Sequence, residues 1–445
     1  MSVTQISTDL SSGARTSVSV CTGYLSAISA STLNAVVTVR SNSDVLADAA
    51  ASDARRSAGA QLSVLDGVPF TMKTVLQTAG VRTTNGTSAI DDIPISDGDM
   101  AAKAKAAGMI LLGKTNVGSD PMRCKSVLFG ETKNPLTTST IYATGGSSGG
   151  ESAAIASGQS PLGFGVDAAG SIRVPASFCG ICGLKPTTGY LSSYGDRSFR
   201  MPSRPPFCGE TYTTGLLANS LDDFALTLPF FAGPTANAPD APPLAPSTSP
   251  TLRKLVKVDH IGSAWTLSPF VQSKLDAVTA AMATAGITIS YPSSPQIPWY
   301  DETVFNNINY GLVTEPANEG ASWPLNETEW LTSSLNYTAV AGTMVQARAH
   351  ARKLSKLLSD LIGDADAIIT ATTALSPPLY GTTTGPAAMG YMAFTVLFNH
   401  TRNPCITIPA GIDPATGVGF GIQIVGRHWC DMDLIDIAKQ VQAYI

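Results

Sequence analysis

The chain has 445 residues and a net charge of −5, with 44% apolar and 14% charged residues. A charged fraction well below the usual value of about 25%, beside so many apolar residues, excludes a disordered chain and predicts a large buried core. The negative charge and the lack of a Lys/Arg block argue against nucleic acid or an anionic membrane as the main partner.

The N-terminal residues MSVTQISTDLSSGARTS lack a basic start followed by an apolar run. No signal peptide is therefore expected, and the cytoplasm is the predicted location. No apolar run reaches the length of about eighteen residues that a membrane span needs. Seven cysteines, an odd number at irregular spacing, predict reduced thiols rather than a disulfide framework.

The stretch DMAAKAKAAGMILLGKTN predicts a helix followed by a buried strand. Asp99 is the expected N-cap, Gly108 the stop signal, and Met109 to Leu112 the strand. Gly108 to Thr115 also satisfies the P-loop pattern G-x-x-x-x-G-K-T, which would imply a phosphate site. The four middle residues are apolar, however, and favour a strand over a phosphate-binding loop. A nucleotide-binding protein is kept as an alternative of another class.

Two adjacent serines lie between glycine pairs in YATGGSSGGESAA, Tyr142 to Ala154. The pattern G-x-S-x-G fits twice, centred on Ser147 and on Ser148, and is typical of a nucleophile elbow. A Ser-His-Asp triad would need a histidine as well. The available histidines, none with a distinctive local sequence, are His260, His350, His400 and His428. This triad stays open as one interpretation of the serines.

Cys179 and Cys182 in FCGICG have the C-x-x-C spacing of a redox pair or half a zinc site. No second cysteine pair or histidine cluster completes a metal site, and the flanking Phe178, Ile181 and Leu184 indicate burial. We interpret the two cysteines as small buried residues and expect no metal.

The proline-rich stretch Gly233 to Pro250 predicts an extended linker that divides the chain into two halves. Residues from about 290 to 345 show weak periodicity and are expected to form loops over a pocket. Near the C-terminus GFGIQIVG predicts a strand, and a helix follows whose apolar face comprises Leu434, Ile437, Ala438 and Val441. This alternation predicts an α/β fold with a large mixed or parallel sheet.

A longer segment, Gly145 to Gly189, reads GGSSGGESAAIASGQSPLGFGVDAAGSIRVPASFCGICGLKPTTG. It closely resembles the signature of the amidase signature family. The resemblance continues through LDGVPFTMKT, GKTN and IPAGIDPATGVGFGIQIVGR, and covers most of the chain apart from residues 233–345. It implies a large mixed β-sheet core covered by helices on both faces. It also implies one amidase signature domain over 1–445, with the linker 233–250 between an N-terminal catalytic part and a C-terminal part.

The resemblance further implies a catalytic triad that needs no histidine, metal or cofactor. Lys73 is the implied base, Ser147 the bridging serine whose peptide bond is cis, and Ser171 the nucleophile. The backbone N–H groups implied for the oxyanion hole belong to Ala168, Ala169, Gly170 and Ser171. The side chains implied to support this hydrogen-bond network belong to Ser148, Asp167 and Arg173.

A lysine base makes a chemical demand on its surroundings. The reference pKa of lysine is about 10.4, so burial must lower the pKa before the amine can accept a proton at neutral pH. Lys73 follows the apolar run GVPFTM, which is typical of a strand end that could desolvate it, although a strand-end lysine in water is the alternative.

Two positions depart from the family pattern. Ala169 occupies a position where the family usually has glycine, and its Cβ is expected to narrow the oxyanion hole or to resist a positive φ. Thr74 follows Lys73 where an acidic residue is common in the family, which is expected to change how the lysine is held.

The sequence therefore predicts an amidase that cleaves the carbon–nitrogen bond of a small-molecule amide through an acyl-enzyme. The alternatives on the same triad are an esterase and an acyl transferase that gives the acyl group to an amine. A catalytically silent binding protein is the third, if Ala169 blocks the oxyanion hole. Trp299 to Gly311 and Met389 to Phe394 offer aromatic and methionine walls that favour an apolar or aryl acyl group. A homodimer is left open.

Overall fold

The computed structural model describes residues 1–87, 91–118, 123–137, 141–197, 211–261, 265–292, 341–381 and 388–445. The loop Trp299 to Gly311, expected to line the substrate pocket, lies outside these ranges, as does most of the segment 290–345.

The described residues contain fifteen strands, eleven of which form one mixed sheet. The strands are β1 (Val36–Val39), β2 (Pro69–Lys73), β3 (Ile110–Thr115), β4 (Lys125–Ser126), β5 (Gly130–Glu131), β6 (Leu162–Asp167), β7 (Cys182–Lys185), β8 (Thr213–Ala218), β9 (Lys254–Val258), β10 (His260–Ile261), β11 (Trp265–Thr266), β12 (Thr288–Ser290), β13 (Ala367–Ala371), β14 (Cys405–Ile412) and β15 (Gly419–Val425).

The helices of the described ranges cover the two faces of this sheet. They are α1 (Val3–Ser12), α2 (Ser17–Ala30), α3 (Asn42–Ser57), α4 (Asp99–Ala106), α5 (Gly149–Ala156), α6 (Arg173–Cys179), α7 (Leu221–Phe231), α8 (Pro269–Thr284), α9 (Ala341–Ile362), α10 (Ala388–His400) and α11 (Asp431–Gln442). Within the described ranges, no helix combines the length and the apolar character that crossing a membrane requires.

The strand order in the large sheet is β1-β3-β2-β6-β8-β7-β14-β15-β13-β9-β12. Strand β2 is parallel to β3 and β6, and β9 is parallel to β12 and β13. The remaining neighbours are antiparallel. The predicted α/β class with a large mixed sheet and helices on both faces is confirmed.

The proline-rich stretch 233–250 joins two halves of this sheet. Strands β1 to β8 precede this stretch in the sequence, and β9 to β15 follow it. Within the large sheet the two groups meet where β7 pairs with β14. The stretch has no regular helix or strand, because proline lacks the N–H that either element needs. Its C-terminal end contacts α11, where Ser247 Oγ donates to Asp436 at 2.5 Å.

The predicted helix before Gly108 is present as α4, but its N-cap differs from the expectation. Gly98 caps the helix, and Asp99 is the first helical residue. The Asp99 carboxylate accepts hydrogen bonds from three side chains that lie far away in sequence, those of Ser192, Thr235 and Asn237. These contacts hold the carboxylate away from the backbone N–H groups that an N-cap would bind.

The other local predictions agree with the structure. Gly108 follows α4 with φ +82°, as a helix-stop glycine does. The buried strand expected at Met109 to Leu112 is β3, which begins one residue later and extends to Thr115. The C-terminal helix is α11, with its predicted apolar face buried.

Candidate active site

Lys73 is the last residue of β2, a strand in which every residue is buried. Its side chain is 1% exposed, and its Nζ donates to Ser147 Oγ at 2.6 Å. Burial lowers the pKa of Lys73 to about 8, although the Asp196 carboxylate opposes this shift. The amine can therefore lose its proton near neutral pH, as a general base must.

Ser147 lies in the segment that leads into α5. The peptide bond between Gly146 and Ser147 is cis, the geometry that the family resemblance implies. Ser148 is the N-cap of α5, and its backbone N–H donates to the Ser171 carbonyl at 3.1 Å. The structure therefore joins Lys73 directly to Ser147 and holds the backbone of Ser171 against the adjacent Ser148.

Ser171 lies in the short loop between β6 and α6. Ser147 and Ser171 are both partly exposed, whereas Gly146, Ser148, Gly170 and Ile172, which flank them, are buried. The two serines, like Ala168 and Ala169 near Ser171, are thus open to solvent within a largely buried region. A nucleophile and its relay need this access to a substrate.

Asp167 and Arg173 form a fully buried ion pair around this loop. Arg173 donates from Nε to Asp167 Oδ2 at 3.0 Å and from an Nη to Oδ1 at 2.8 Å. Burial alone would raise the pKa of Asp167, but the Arg173 charge and hydrogen bonds hold it well below its usual range. The Asp167 carboxylate also accepts the backbone N–H groups of Gly170 and Ile172. The pair therefore fixes the shape of the loop that carries Ser171.

One of the four backbone N–H groups expected in the oxyanion hole, that of Gly170, is already hydrogen-bonded within the protein. The Gly170 N–H donates to Asp167 Oδ1 at 2.8 Å, so it is already engaged and does not point at a substrate oxygen. In the part of the chain that the structure describes, the N–H groups of Ala168, Ala169 and Ser171 make no hydrogen bond. These three N–H groups are therefore available to a further acceptor.

Ala169 is accommodated without backbone strain. Among the described residues it is not one of the non-glycine residues with a positive φ. Its methyl group packs against an apolar cluster that comprises Val174, Phe178, Tyr391, Met392 and Val396. The left-handed conformation falls on Gly170 instead, at φ +123°. A Cβ on Gly170 would overlap Thr395 Oγ1. The glycine that this loop requires is therefore present, and the departure at Ala169 does not distort the loop.

Several residues that support the site were not found from the sequence. Helix α10 supplies Thr395, whose carbonyl accepts from Arg173 at 2.9 Å, and Asn399, whose Nδ2 donates to Asp167 Oδ1 at 2.8 Å. Gln423 on β15 accepts from Arg173 at 2.7 Å. These residues lie more than 220 positions after Asp167 and Arg173. Only the resemblance around GFGIQIVGR, which contains Gln423, gave any signal.

Ser148 and Thr74 are both buried beside the site. The Ser148 hydroxyl donates to the Val166 carbonyl at 3.5 Å, and its backbone is the group that contacts Ser171. Thr74 Oγ1 accepts the Thr84 N–H at 3.2 Å. Thr74 thus stabilises the segment that follows Lys73, and its hydroxyl is not hydrogen-bonded to the lysine.

The other sequence motifs form part of the folded core and do not contribute to the candidate site. Residues 110–115 of the P-loop-like string form the buried strand β3, and Lys114 donates to the Leu76 carbonyl at 2.6 Å. A buried strand does not present the N–H groups of a phosphate loop. Cys179 and Cys182 are free and buried, as interpreted from the sequence. Among the described residues, no group of three or more His, Cys, Asp or Glu side chains is placed to hold a metal.

Two of the four histidines considered for a Ser-His-Asp triad have other hydrogen-bond partners. His428 donates to the Thr401 carbonyl at 2.6 Å, and His260 pairs with Asp259. His400 is the last residue of α10. In the described part of the chain, the side chain hydrogen-bonded to Ser147 is a lysine.

Comparisons with known proteins give a consistent result. A family model described as "Amidase" matches residues 20–435. The chain is 30% identical to a glutamyl-tRNA(Gln) amidotransferase subunit of Koribacter versatilis, over 92% of this chain and 91% of that protein. It is also 30% identical to a 1-carboxybiuret hydrolase subunit of a Pseudomonas species, over 99% and 98%. A solved bacterial aryl acylamidase of the amidase signature family has the same fold, with TM-score 0.85, 19% identity, and 100% and 96% coverage.

Proposed function

The chain belongs to the Amidase family, and from that premise we propose that it is an amidase that hydrolyses a small carboxylic amide through a Lys73-Ser147-Ser171 triad. The observation that carries this proposal is the hydrogen bond of 2.6 Å from the buried Lys73 Nζ to Ser147 Oγ. An amine with a lowered pKa is the base that two hydroxyl groups need in the absence of a histidine partner.

In the first half of the proposed reaction, neutral Lys73 takes the Ser147 proton while Ser147 takes the proton of Ser171. The Ser171 oxygen attacks the amide carbonyl carbon, and the carbonyl oxygen gains negative charge. The N–H groups of Ala168, Ala169 and Ser171 stabilise that charge, each donor contributing on the order of 3 kcal/mol in comparable sites. The same relay then returns a proton to the nitrogen as the carbon–nitrogen bond breaks.

In the second half, water attacks the acyl-enzyme ester. Lys73 and Ser147 remove a proton from that water, and the carboxylic acid leaves as the proton returns to Ser171. The Asp167–Arg173 ion pair takes no part in proton transfer in this scheme. It supports the reaction by fixing the loop that carries Ser171 and the oxyanion donors.

We also propose that the chain works as one domain over 1–445. Strands from both sides of the stretch 233–250 belong to one sheet, and groups from both sides contact one ion pair: Asp167 and Arg173 from the first part, Asn399 and Gln423 from the second. The loop between β6 and α6 that carries Ser171, here called the catalytic loop, therefore depends on both parts of the chain.

A second candidate is transfer of the acyl group from Ser171 to an amine instead of water. The same acyl-enzyme allows this transfer, because an amine can attack its ester carbonyl in place of water. Hydrolysis of esters is a third outcome of the same acyl-enzyme, because an alkoxide leaving group needs less protonation than an amine.

The pH dependence of amide turnover tests the proposal. We expect kcat/KM for a panel of acyl and aryl amides to rise with pH through an apparent pKa of about 8, because burial lowers the pKa of Lys73 and only the neutral amine is a base. Product analysis with and without an added amine separates hydrolysis from acyl transfer. A profile that falls to zero only below pH ~6, the range of a histidine, would contradict a lysine base.

A further inference from the structure

Glu151 is a fully buried carboxylate in the first turn of α5, and the proposed reaction does not use it. One of its oxygens accepts a hydrogen bond from Thr71 Oγ1, and the other accepts from Thr115 Oγ1 at 2.6 Å. Glu151 therefore connects α5 to both β2 and β3, the strand of Lys73 and the strand beside it.

The contact between Thr71 and Glu151 lies next to the contact between Lys73 and Ser147. Thr71 and Lys73 are two residues apart on β2, so their side chains point to the same face of the sheet. Ser147 directly precedes Ser148, the N-cap of α5, and Glu151 lies in the first turn of that helix, so both residues belong to one short segment. The two hydrogen bonds are thus consecutive links between the same strand and the same segment.

The Glu151 side chain also contacts a third strand, β6, where a glycine leaves space for it. A Cβ on Gly163 of β6 would overlap the Glu151 carboxylate, so the carboxylate rests directly against the backbone of β6. Strands β2 and β6 are neighbours in the sheet. Glu151 is therefore packed against three adjacent strands at the place where the base and the relay serine meet.

The charge of Glu151 acts on two lysines. Burial raises the pKa of Glu151 to about 7, against the hydrogen bonds from Thr115 and Thr71 and the charges of Lys114 and Lys73. The titratable groups whose charges oppose the effect of burial on the pKa of Lys73 are Asp196, Cys124, Asp167 and Glu151. At a pH where Lys73 titrates, a negative Glu151 favours the protonated amine.

We propose that Glu151 is a positioning residue for the amidase reaction, which holds Lys73 on Ser147 through Thr71 and places a buried negative charge close to the strand that carries the base. This inference rests on the proposed function, since it acts through the Lys73-Ser147 hydrogen bond. It assigns two separable effects to one side chain, an effect on geometry and an effect on charge.

Replacing Glu151 with glutamine tests the effect on charge. Glutamine keeps the shape and can hydrogen-bond both threonines, but it removes the negative charge. We expect the acid limb of the kcat/KM profile to move to lower pH by about half a unit or more, because an anion near the amine is lost. If the acid limb of the Glu151→Gln profile lies at the same pH as that of the wild type, this part of the inference is overturned. A change in stability alone does not move an apparent pKa.

Replacing Thr71 with valine tests the effect on geometry and stays informative if Glu151→Gln does not fold. The matched control is Thr115→Val, which removes the other hydrogen bond to Glu151 on a strand that does not carry the base. We expect Thr71→Val to lower kcat about tenfold with KM within twofold, and Thr71→Ser to restore it. Equal kcat in Thr71→Val and Thr115→Val at similar losses of stability would overturn the positioning role.

The controls also distinguish failure of this inference from failure of the proposed function. If Lys73→Ala keeps its amide turnover, the triad itself is wrong. If Lys73→Ala is inactive while the acid limb of Glu151→Gln and the kcat of Thr71→Val match their controls, only the role of Glu151 is wrong.

Discussion

Replacing Lys73 with alanine is expected to lower kcat for amide hydrolysis by several orders of magnitude while the protein stays folded. The loss is large because the variant leaves Ser147 and Ser171 without a base. Folding should tolerate the change, since a buried amine whose pKa is lowered by desolvation contributes little to stability in its charged form. Turnover of esters should fall less than that of amides. Steady-state kinetics with matched amide and ester substrates, beside circular dichroism, measure these effects.

Lys114→Ala is the matched control for Lys73→Ala. Lys114 is also fully buried, lies on the neighbouring strand, and has a pKa lowered to about 7 by burial. Its amine donates to Leu76 and Thr78 rather than to a serine. We expect Lys114→Ala to lose stability but to keep amide turnover within about tenfold of the wild type. Near wild-type turnover in Lys73→Ala, with loss on substitution of a histidine, would favour the Ser-His-Asp alternative instead.

Replacing Arg173 with methionine is expected to destabilise the protein by about 3–5 kcal/mol, because it leaves the Asp167 carboxylate buried without its counter-charge. Both side chains have no exposed surface. Arg173 also donates to Thr395, Gln423 and Asn399, so the variant loosens α10 and β15 from the catalytic loop. Urea denaturation at pH 7 measures the loss.

The double variant Asp167→Asn with Arg173→Met separates an uncompensated charge from lost packing. We expect it to be more stable than Arg173→Met alone, because no charge is left buried.

The pH dependence of the free energy of unfolding gives a second check. Folding lowers the pKa of Asp167, so the stability it contributes is present above the unfolded pKa of about 3.9 and is lost as the pH falls through the folded pKa. The loss in the free energy of unfolding caused by Arg173→Met should therefore become smaller as the pH is lowered.

The sequence predicted well those features that depend on local pattern. The apolar run before Lys73 indicated a desolvated strand end, and β2 is buried along its whole length. The apolar middle of Gly108 to Thr115 indicated a strand rather than a phosphate loop, and it forms β3. In both cases the side chains that decide the outcome are contiguous, so burial can be inferred from hydrophobicity alone.

Features that depend on distant residues were not predictable in this way. Asp99 does not act as an N-cap because Ser192, Thr235 and Asn237 reach its carboxylate from other parts of the chain. The engagement of the Gly170 N–H by Asp167 follows from the shape of the loop, which sequence spacing does not specify. The role of Asn399 needs α10 to lie over the catalytic loop, a matter of tertiary packing.

Mass spectrometry after treatment with a fluorophosphonate identifies which serine is the nucleophile. The reagent forms a bond between its phosphorus and an activated serine oxygen, with fluoride as the leaving group and the proton passing to the base. We expect one adduct, on Ser171, which is absent in Ser171→Ala and strongly reduced in Lys73→Ala. An adduct on Ser147 or Ser148 that persists in Ser171→Ala would show instead that the nucleophile is one of the two glycine-flanked serines.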